Sequence, residues 1–431
     1  MMSMTKKGTD SVRVAVVGGG AAGMMAAIFA ARAGADVTLF ERNDRMGKKL
    51  RITGKGRCNL TNNCELNEFL ANVPTNPRFL YAALASFSTA DTMAFFEEAG
   101  VPLKTERGKR VFPMSDKAGD IVAALEKQCI RAGVHILHRR VDELLIRDGT
   151  VYGVRCGTVE ETVDAVIVCT GGRSYPTTGS DGDGYRFATA AGHTVIPTQP
   201  SLVPLVAHGS LCAAMQGLSL KNIGFCIKDE ASGKTVYEDF GEMMFTHFGL
   251  TGPVVLSASA HLHEMHPEKY AAYIDLKPAL DEKTLDARIR SDFAKYQNRD
   301  FLNALDDLLP QKMIAPMVRL CEIDPRKKVH SVTREERERL VRCLKALKIP
   351  IRGFRSIDEA IVTRGGVNIK EINPKTMESK RISGLYFAGE VLDVDAYTGG
   401  FNLQIAFSTA VAAGTAAANV AQSGTKTGKN G

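Results

Sequence analysis

Three glycines near the start of the chain have the spacing of a phosphate-binding turn. They are Gly18, Gly20 and Gly23. An apolar run that begins at Val12 precedes them, and a run of small residues suited to a helix follows them and ends at Gly34. In such a strand–turn–helix the first glycine permits the tight turn, the second admits a pyrophosphate and the third allows close packing of helix on strand. Because the first amides of a helix attract phosphate, the pattern predicts a dinucleotide site that includes Ala21 and Ala22.

An acidic residue closes the second apolar run, ADVTLFE, at Glu41. A carboxylate at the end of this strand can accept hydrogen bonds from ribose hydroxyls, and it would repel a 2′-phosphate. The site is therefore expected to take FAD or NAD rather than NADP. Arg42, directly after the acid, is included in the predicted site.

Apolar runs and turn signals predict an α/β architecture interrupted by a long insertion. From residue 278 to 348, 28 of 71 residues are charged and none is glycine, which favours a small helical module. β-Rich segments flank this module, and the buried-strand pattern of the first region returns in GLYFAGE. The predicted domains are a first part of the nucleotide domain at 1–197, a β-rich insert at 198–277, a helical insert at 278–348, a β-rich return at 349–372 and a second part of the nucleotide domain at 373–431.

Composition excludes several other classes of protein. The chain has 431 residues, of which 44% are hydrophobic and 24% charged, so it is neither a disordered chain nor a fibre. Its net charge of +7 suits anionic ligands but is too dilute to indicate a nucleic-acid partner. The nine cysteines form no C-x-x-C pair, and the N-terminus is polar. Glycines or polar residues such as Asn and Gln interrupt the long apolar stretches. These features predict a cytoplasmic protein without a membrane partner.

Longer blocks of sequence resemble a flavoprotein family of YhiN/BaiN type, whose members include aminoacetone oxidases and a bile-acid reductase. The resemblance runs through nearly the whole chain in order. The blocks that carry it are GKKL (47–50), ITGKGRCNLTN (52–62), CTGG (169–172), FTHFGLTGP (245–253), VTRGGV (362–367), TMESK (376–380) and GLYFAGEVLDVDAYTGGFNLQIA (384–406).

This resemblance implies a glutathione-reductase-like FAD-binding Rossmann domain with an inserted β-barrel-like domain and a small helical domain. It also implies further contacts with FAD, including the start of a last helix aimed at the flavin pyrimidine edge. The residues implied are Val141, Thr170, Gly171, Gly172, Gly389, Glu390, Gly400, Phe401, Asn402 and Leu403. A polar loop directly after the Glu41 strand is interpreted as lying along the cofactor rather than as a solvated basic surface. Its residues are Lys48, Lys49, Arg57, Cys58 and Asn59.

The implied activity is that of an FAD-dependent oxidoreductase acting on a small molecule. The leading hypothesis is an NAD(P)H-linked reductase of a C=C bond in a steroid or bile-acid-like enone. The second is an oxygen-using oxidase of an amine or aminoketone. The third is a flavin-holding nucleic-acid or modification partner without small-molecule turnover of its own. Because no second strand–GxGxxG–helix occurs, either NADH or NADPH binds only transiently, or electrons come from the substrate and pass to oxygen. The sequence assigns no catalytic residue and carries no signal for an oligomeric state.

Three other patterns of reactive residues favour structural interpretations. Cys58 and Cys64 are spaced as C-x5-C, whereas disulfide reductases use C-x4-C, so a packed thiol is favoured. The histidines of HLHEMH (261–266) lack the further ligands of a zinc site, and no metal is expected. His247 is interpreted as a hydrogen-bonded structural residue, with proton donation as the alternative.

Overall fold

The computed structural model describes residues 11–420 and divides the chain into two compact units. The first unit contains the chain up to Pro200 and from Ile357 onwards, and the second is Ser201–Ser356. The strands are β1 Arg13–Val17, β2 Asp36–Phe40, β3 Thr61–Asn62, β4 Leu103–Glu106, β5 Arg110–Pro113, β6 His135–Leu137, β7 Glu143–Arg147, β8 Thr150–Cys156, β9 Val159–Thr162, β10 Ala165–Val168, β11 Val195–Ser201, β12 Leu205–Ala207, β13 Ser219–Asp229, β14 Thr235–Phe245, β15 Gly249–Thr251, β16 Tyr270–Asp275, β17 Leu347–Phe354, β18 Val362–Val367 and β19 Leu385–Phe387. The helices are α1 Ala21–Arg32, α2 Lys48–Ile52, α3 Leu66–Ala71, α4 Tyr81–Ser86, α5 Thr89–Glu98, α6 Ala118–Arg131, α7 Asp183–Ala190, α8 Leu211–Ala214, α9 Pro253–Ser259, α10 Glu282–Lys295, α11 Gln311–Leu320, α12 Arg334–Lys345 and α13 Phe401–Ala417.

A five-stranded parallel sheet forms the centre of the first unit, in the order β19-β10-β1-β2-β6. Its middle strands are the apolar runs of the sequence, and all four residues of Val14–Val17 and of Ala165–Val168 are buried. Strands buried on both faces are typical of a sheet covered by helices on each side. The sheet joins strands from both ends of the chain, since β19 pairs with β10, and the Rossmann-type fold is confirmed.

Helices α1 and α13 pack tightly against each other within the first unit. A side-chain carbon added at Gly414 of α13 would lie 2.4 Å from the carbonyl oxygen of Ala26 in α1. Small residues on both helices allow this approach, which explains why these stretches are rich in alanine and glycine. Most side chains of α13 are buried, and Gln404, Ser408 and Thr409 among them make hydrogen bonds within the protein.

The second unit is built around a closed antiparallel barrel in the order β12-β15-β14-β13-β16-β17. Helices α10, α11 and α12 contribute Leu285, Met313 and Leu340 to the same apolar core as Phe225 and Ile274 of the barrel. The charged helical segment therefore packs on the barrel rather than around a core of its own. Its charged residues occupy the outer faces of amphipathic helices.

The boundaries of the two units differ from the predicted domain limits. The first unit continues to Pro200 rather than 197, and it resumes at Ile357 rather than 373. Residues 357–372 lie with the first unit, where β18 pairs with β11. The sequence of β18 is typical of a strand, but it does not indicate which sheet the strand joins.

Among residues 11–420, no helix taken alone combines the length and the apolar character needed to cross a membrane. The bent pair Pro77–Ser86 and Thr89–Glu98 meets that test by length and composition only.

Candidate functional site: the glycine turn and the carboxyl edge of the sheet

The glycine turn between β1 and α1 is held against the neighbouring strand β10. Gly18 has a φ of +107°, and a Cβ at this position would lie 2.6 Å from the carbonyl oxygen of Cys169. A Cβ at Gly23 would lie 1.7 Å from the carbonyl oxygen of Gly18, so both positions require glycine. At Gly20, by contrast, a Cβ would meet no protein atom within 4 Å. The space in front of the middle glycine is open, as a bound pyrophosphate requires.

The N-terminus of α1 carries no competing group. Its N-cap is Gly20, no side chain caps the helix, and its first turn contains no acidic residue. The unpaired amides and the positive end of the helix dipole therefore favour an anion at this point. Ala21 is partly exposed and Ala22 is buried beneath the turn.

Glu41 lies buried at the end of β2, and the protein anchors its carboxylate from both sides. Oε2 accepts a hydrogen bond from the amide of Gly19 at 2.7 Å. Oε1 accepts from the backbone amide and from Nδ2 of Asn43, each at 2.7 Å. A carboxylate has about four acceptor positions, so one remains for a ligand hydroxyl beside the turn.

Arg42 is directed to carboxylates of the protein. Its Nη1 lies 2.5 Å from Asp181 and 3.2 Å from Asp183, and Asp183 also binds Arg140 at 2.9 Å. These pairs neutralise the guanidinium, so it does not offer a free positive charge to a 2′-phosphate. Val141, which the resemblance implies as a further FAD contact, lies buried between β6 and β7.

Lys49 connects segments from distant parts of the chain. Its Nζ donates to Oγ of Ser174 and to Oε2 of Glu390, each at 2.7 Å. Oε1 of Glu390 accepts from Oγ of Ser174 and from the amide of Thr363, each at 2.9 Å. The predicted site residues Lys49 and Glu390 are therefore paired with each other, while Lys48 binds Asp44 at 2.8 Å.

The polar side chains of the loop after α2 have different partners. Arg57 binds Glu106 at 2.5 Å and Asp116 at 2.6 Å and lies over the ring of Phe112, 4.2 Å from its centroid. The bond to Arg57 holds the pKa of Glu106 below its usual range, and Lys104 and Arg57 do the same for Asp116. Arg57 is therefore paired with carboxylates from distant parts of the sequence.

Asn59 is the residue of this loop that points to a missing partner. Its Oδ1 is buried and accepts no hydrogen bond from any residue in the range 11–420. A buried amide oxygen without a donor is costly, so a ligand that donates here would stabilise the loop. Cys58 beside it is fully buried, and burial raises the pKa of its thiol to about 12.

The residues after β10 pack against three different neighbours. The Cα of Thr170 approaches Gly18, while its Oγ1 lies against Gly184 of α7. Gly172 leaves room for Thr363, since a Cβ there would lie 2.4 Å from Thr363 Oγ1. Gly171, between them, has a left-handed backbone with φ +75°.

The final cofactor block brings the end of β19 to the start of α1. A Cβ at Gly389 would lie 2.8 Å from the Cβ of Ala22. Further along, α13 begins after Gly400, whose φ is +98° and whose Cβ would lie 2.3 Å from the carbonyl oxygen of Thr61. No side chain caps α13 and its first turn contains no acid, so this helix also presents free amides.

The first turn of α13 is fixed by its own side chains. Asn402 pairs with the backbone of Ala396, accepting from its amide at 2.9 Å and donating to its carbonyl at 2.7 Å. Phe401 packs edge-on against Phe69 at 5.1 Å between ring centroids, and Leu403 is partly buried. These contacts hold the preceding loop in place before the helix begins.

Asp393, in the loop between β19 and α13, was not predicted from the sequence. Its Oδ2 accepts from Nδ2 of Asn76 at 3.1 Å, and the same amide donates to the Asp393 carbonyl at 2.7 Å. Burial raises the pKa of Asp393; the bond to Asn76 lowers it, and the neighbouring Asp395 raises it further. Asn76 has a left-handed backbone, with φ +57°.

Several residues around the predicted set were also missed. They are Asn43, Asn76, Ser174, Thr363 and Asp393. Asn43 directly follows the predicted Arg42 and Ser174 lies two residues beyond Gly172. Thr363 and Asp393 lie within resemblance blocks, which is the available signal. The hydrogen bonds themselves depend on tertiary structure and have no pattern in the sequence.

The arrangement fits FAD on three observations. The space at Gly20 is open beside an uncapped helix end, Glu41 retains acceptor capacity beside that turn, and Asn59 has a buried oxygen without a donor. The predicted positions at Gly18–Gly23, Glu41, Thr170 and Gly389 follow or flank the carboxyl ends of β1, β2, β10 and β19. Ligands of open α/β sheets bind at this edge.

The alternative reactive patterns do not assemble a site in the described part of the chain. Cys58 and Cys64 are free thiols, and burial raises the pKa of Cys64 to about 11. No group of three or more His, Cys, Asp or Glu residues between positions 11 and 420 is arranged to hold a metal ion. His261 packs against the ring of Tyr237 at 5.0 Å, and His247 is exposed beside Phe248.

Comparison with known proteins places this geometry in a family. The family model described as the HI0933-like protein Rossmann domain matches residues 12–416. The chain belongs to this family. It is an FAD-dependent oxidoreductase of the YhiN/BaiN type, as the resemblance implied.

Two curated relatives of this HI0933-like chain cover nearly its whole length. It is 32% identical over 410 residues to the 3-dehydro-bile acid delta(4,6)-reductase of Clostridium scindens, covering 94% of this chain and 99% of that protein. It is 30% identical over 396 residues to the ribosomal RNA dihydrouridine synthase of Escherichia coli, covering 92% and 95%. Among solved structures, a flavocytochrome c3 fumarate reductase in its open conformation matches with a TM-score of 0.51 and 18% identity. That match covers 96% of this chain and 79% of the other and supports the fold.

Proposed function

We propose that this protein uses FAD to reduce a C=C bond conjugated to a carbonyl group, with NADH or NADPH as the transient electron donor. The observation that carries the proposal is the open, uncapped glycine turn beside an anchored Glu41, together with the reactions named for the two relatives. Both names describe the addition of hydrogen to a conjugated C=C bond, in a steroid ring or in the uracil ring. The chemistry is therefore shared although the substrates differ.

The proposed roles divide the cofactor among three groups of residues. The turn from Gly18 to Gly23 would hold the pyrophosphate, and Glu41 would hold the adenosine ribose. The start of α13, from Gly400 to Leu403, would present its amides to the flavin pyrimidine edge. When bound, FAD supplies hydride transfer to or from its isoalloxazine ring.

Reduction of an enone also requires a proton at the carbon next to the carbonyl. We propose that the carboxyl group of Asp393 holds this proton. Two observations support it: burial raises its pKa, and Asn76 fixes its orientation. Glu390, in the same block, instead binds Lys49 and serves to position the chain.

The test of the reaction uses the purified holoenzyme under anaerobic conditions. Addition of NADH or NADPH is expected to bleach the visible flavin absorbance, and a 3-oxo-4,6-diene bile acid is expected to restore it. If neither nucleotide reduces the flavin and aminoacetone does, the protein is an amine oxidase instead.

The test of Asp393 compares Asp393→Asn with Asp120→Asn on the exposed face of α6. Asp393→Asn is expected to retain FAD and its reduction by NAD(P)H but to slow reoxidation by the enone and remove the pH dependence of that step. Equal reoxidation by the two variants excludes Asp393 as the proton donor.

A second candidate substrate is uridine in ribosomal RNA, favoured by the Escherichia coli relative and by a similarly named protein of Haemophilus influenzae at 30% identity. The segment 278–348 carries 16 basic and 12 acidic residues, a modest surplus for an RNA surface. Incubating the reduced enzyme with unmodified ribosomal RNA and measuring dihydrouridine by mass spectrometry tests this candidate. Formation of dihydrouridine without bile-acid reduction assigns the protein to RNA modification.

A further inference from the structure

Two cysteines in the helical part of the second unit lie side by side. Cys321 is the C-terminal cap of α11, and Cys343 lies in the last turns of α12. Their side chains lie close enough for each thiol to shift the pKa of the other. Cys321 is fully buried and Cys343 is partly exposed, so one sulfur of the pair can be reached from solvent.

A separate set of contacts fixes this arrangement. Arg339 lies one turn before Cys343 on the same face of α12, and its Nε donates to the carbonyl oxygen of Cys321 at 2.9 Å. Leu340 and Leu344 beside them are buried in the core of the unit, which sets the rotation of α12. The two cysteines are therefore held in place by packing as well as by their own contact.

The two thiols differ in reactivity. The contact with Cys321 and the positive charges of Arg342 and Arg339 lower the pKa of Cys343, although burial opposes them. The contact with Cys343 and burial raise the pKa of Cys321. Because the thiolate is the nucleophile, Cys343 is the member of the pair suited to react first.

We propose that Cys321 and Cys343 form a reversible disulfide when the protein meets a hydroperoxide. The Cys343 thiolate attacks one oxygen of hydrogen peroxide, the O–O bond breaks, and Cys343 becomes a sulfenic acid, while the other oxygen leaves as hydroxide and takes up a proton from solvent to become water. The Cys321 sulfur then attacks the Cys343 sulfur, the S–O bond breaks, and the hydroxyl group leaves as water with the Cys321 proton. The two thiols together lose two electrons, and hydrogen peroxide is reduced to two molecules of water.

The remaining cysteines provide an internal comparison. Burial raises the pKa of Cys58, Cys129, Cys169 and Cys212, which disfavours their thiolates. Cys226 is, like Cys343, only partly buried, but its sulfur lies 3.8 Å from Oγ1 of Thr235 rather than against another thiol. Cys226 therefore serves to test whether partial exposure alone, without a neighbouring thiol, makes a cysteine of this protein prone to oxidation.

The experiment treats the complete flavoprotein with increasing hydrogen peroxide, blocks free thiols, and maps the peptides by mass spectrometry. The expected result is loss of two thiols per chain, a cross-linked pair of peptides containing residues 321 and 343, and full recovery with dithiothreitol. Cys343→Ser is expected to abolish the cross-link. Cys321→Ala is expected to leave a sulfenic acid at position 343 that dimedone labels. Cys226→Ser is the matched control and should form the cross-link as the unaltered protein does.

Two outcomes would overturn the proposal. One is oxidation of Cys226 or of a buried cysteine before Cys343 in the unaltered chain. The other is oxidation of Cys343 to a sulfinic acid with no 321–343 cross-link at any peroxide concentration.

Discussion

The carboxylate of Glu41 is anchored by the amide of Gly19 and by Asn43. This anchoring fixes the orientation of an acid that would otherwise lose side-chain freedom when a ribose binds. Glu41→Ala is expected to weaken FAD binding by about 1–3 kcal/mol, the scale of a hydrogen bond to a charged group. Titration of FAD onto the apoprotein, followed by quenching of flavin fluorescence, measures the change. Glu41→Gln keeps the size of the side chain and should lose less; unchanged affinity in both variants would move the ribose contact elsewhere.

Gly20 has open space in front of it, which makes a substitution there selective. Gly20→Val is expected to fold, because its Cβ would meet no protein atom within 4 Å, but to exclude the pyrophosphate and purify without flavin. Gly353→Val is the control, since Gly353 in β17 also has no atom within that distance and lies in the other unit. Flavin content per folded chain, with folding checked by circular dichroism, is the measurement. A yellow Gly20→Val protein would contradict the assignment of the turn.

At the scale of the elements, a buried histidine ties the chain before β11 to the segment after β18. Nδ1 of His193 lies 3.0 Å from Oε2 of Glu371, and its Nε2 lies 2.7 Å from Oγ of Ser379. The Ser379 oxygen also accepts from the amides of Arg381 and Ile382. Because its oxygen accepts from two backbone amides, Ser379 closes a turn. The hydrogen-bonded series Ser379–His193–Glu371 therefore has a structural role.

This network predicts how the stability of the fold depends on pH. Burial lowers the pKa of His193 below its ordinary value of 6.5, so the unfolded chain binds a proton that the folded chain does not. The free energy of unfolding is therefore expected to fall as pH decreases through 6.5 and to level off above it. Arg381 lowers the pKa of Glu371 to about 2 against an ordinary 4.5, so its contribution is present above 4.5 and is lost between those values. Urea unfolding between pH 5 and 8 tests the histidine, and His193→Asn should flatten the curve; an unchanged slope would exclude His193.

Patterns within a short stretch of sequence predict those helices, strands and turns whose structure depends on residues close to them in the chain. The β1–α1–β2 unit and its glycines follow from strand runs, turn geometry and helix capping, all of which act within a few residues. Arg57 shows the limit of such reasoning, since its charge is taken up by Glu106 and Asp116, 49 and 59 residues away. The sequence therefore predicts that this basic loop contacts the cofactor. In the folded protein, two distant acids lie beside the loop and bind its arginine.

Over the whole molecule, the sequence predicted that both ends of the chain build one nucleotide-binding fold, and the parallel sheet of β19, β10, β1, β2 and β6 contains strands from both. It did not predict that the charged helices would share a core with the barrel, because their outer faces dominate the composition. It also assigned β18 to the β-rich insert, whereas the strand lies with the first unit and pairs with β11. The pairing of distant strands depends on packing between segments far apart in the sequence. The hydrophobic periodicity of one segment carries no information about its distant partner.

The link between Lys49 and Glu390 spans 341 residues and joins α2 to the loop that follows β19. Their side chains are 22% and 21% exposed, so solvent screens the pair less than an ion pair on the surface. A double-mutant cycle with Lys49→Met and Glu390→Gln is expected to give a coupling of about 0.5–3 kcal/mol, measured by chemical unfolding of the apoprotein. Arg334 and Glu338 on α12 are the control pair; they are 78% and 46% exposed and should couple by only about 0.3–0.5 kcal/mol. Equal coupling in the two cycles would mean that this contact does not hold the two ends of the chain together.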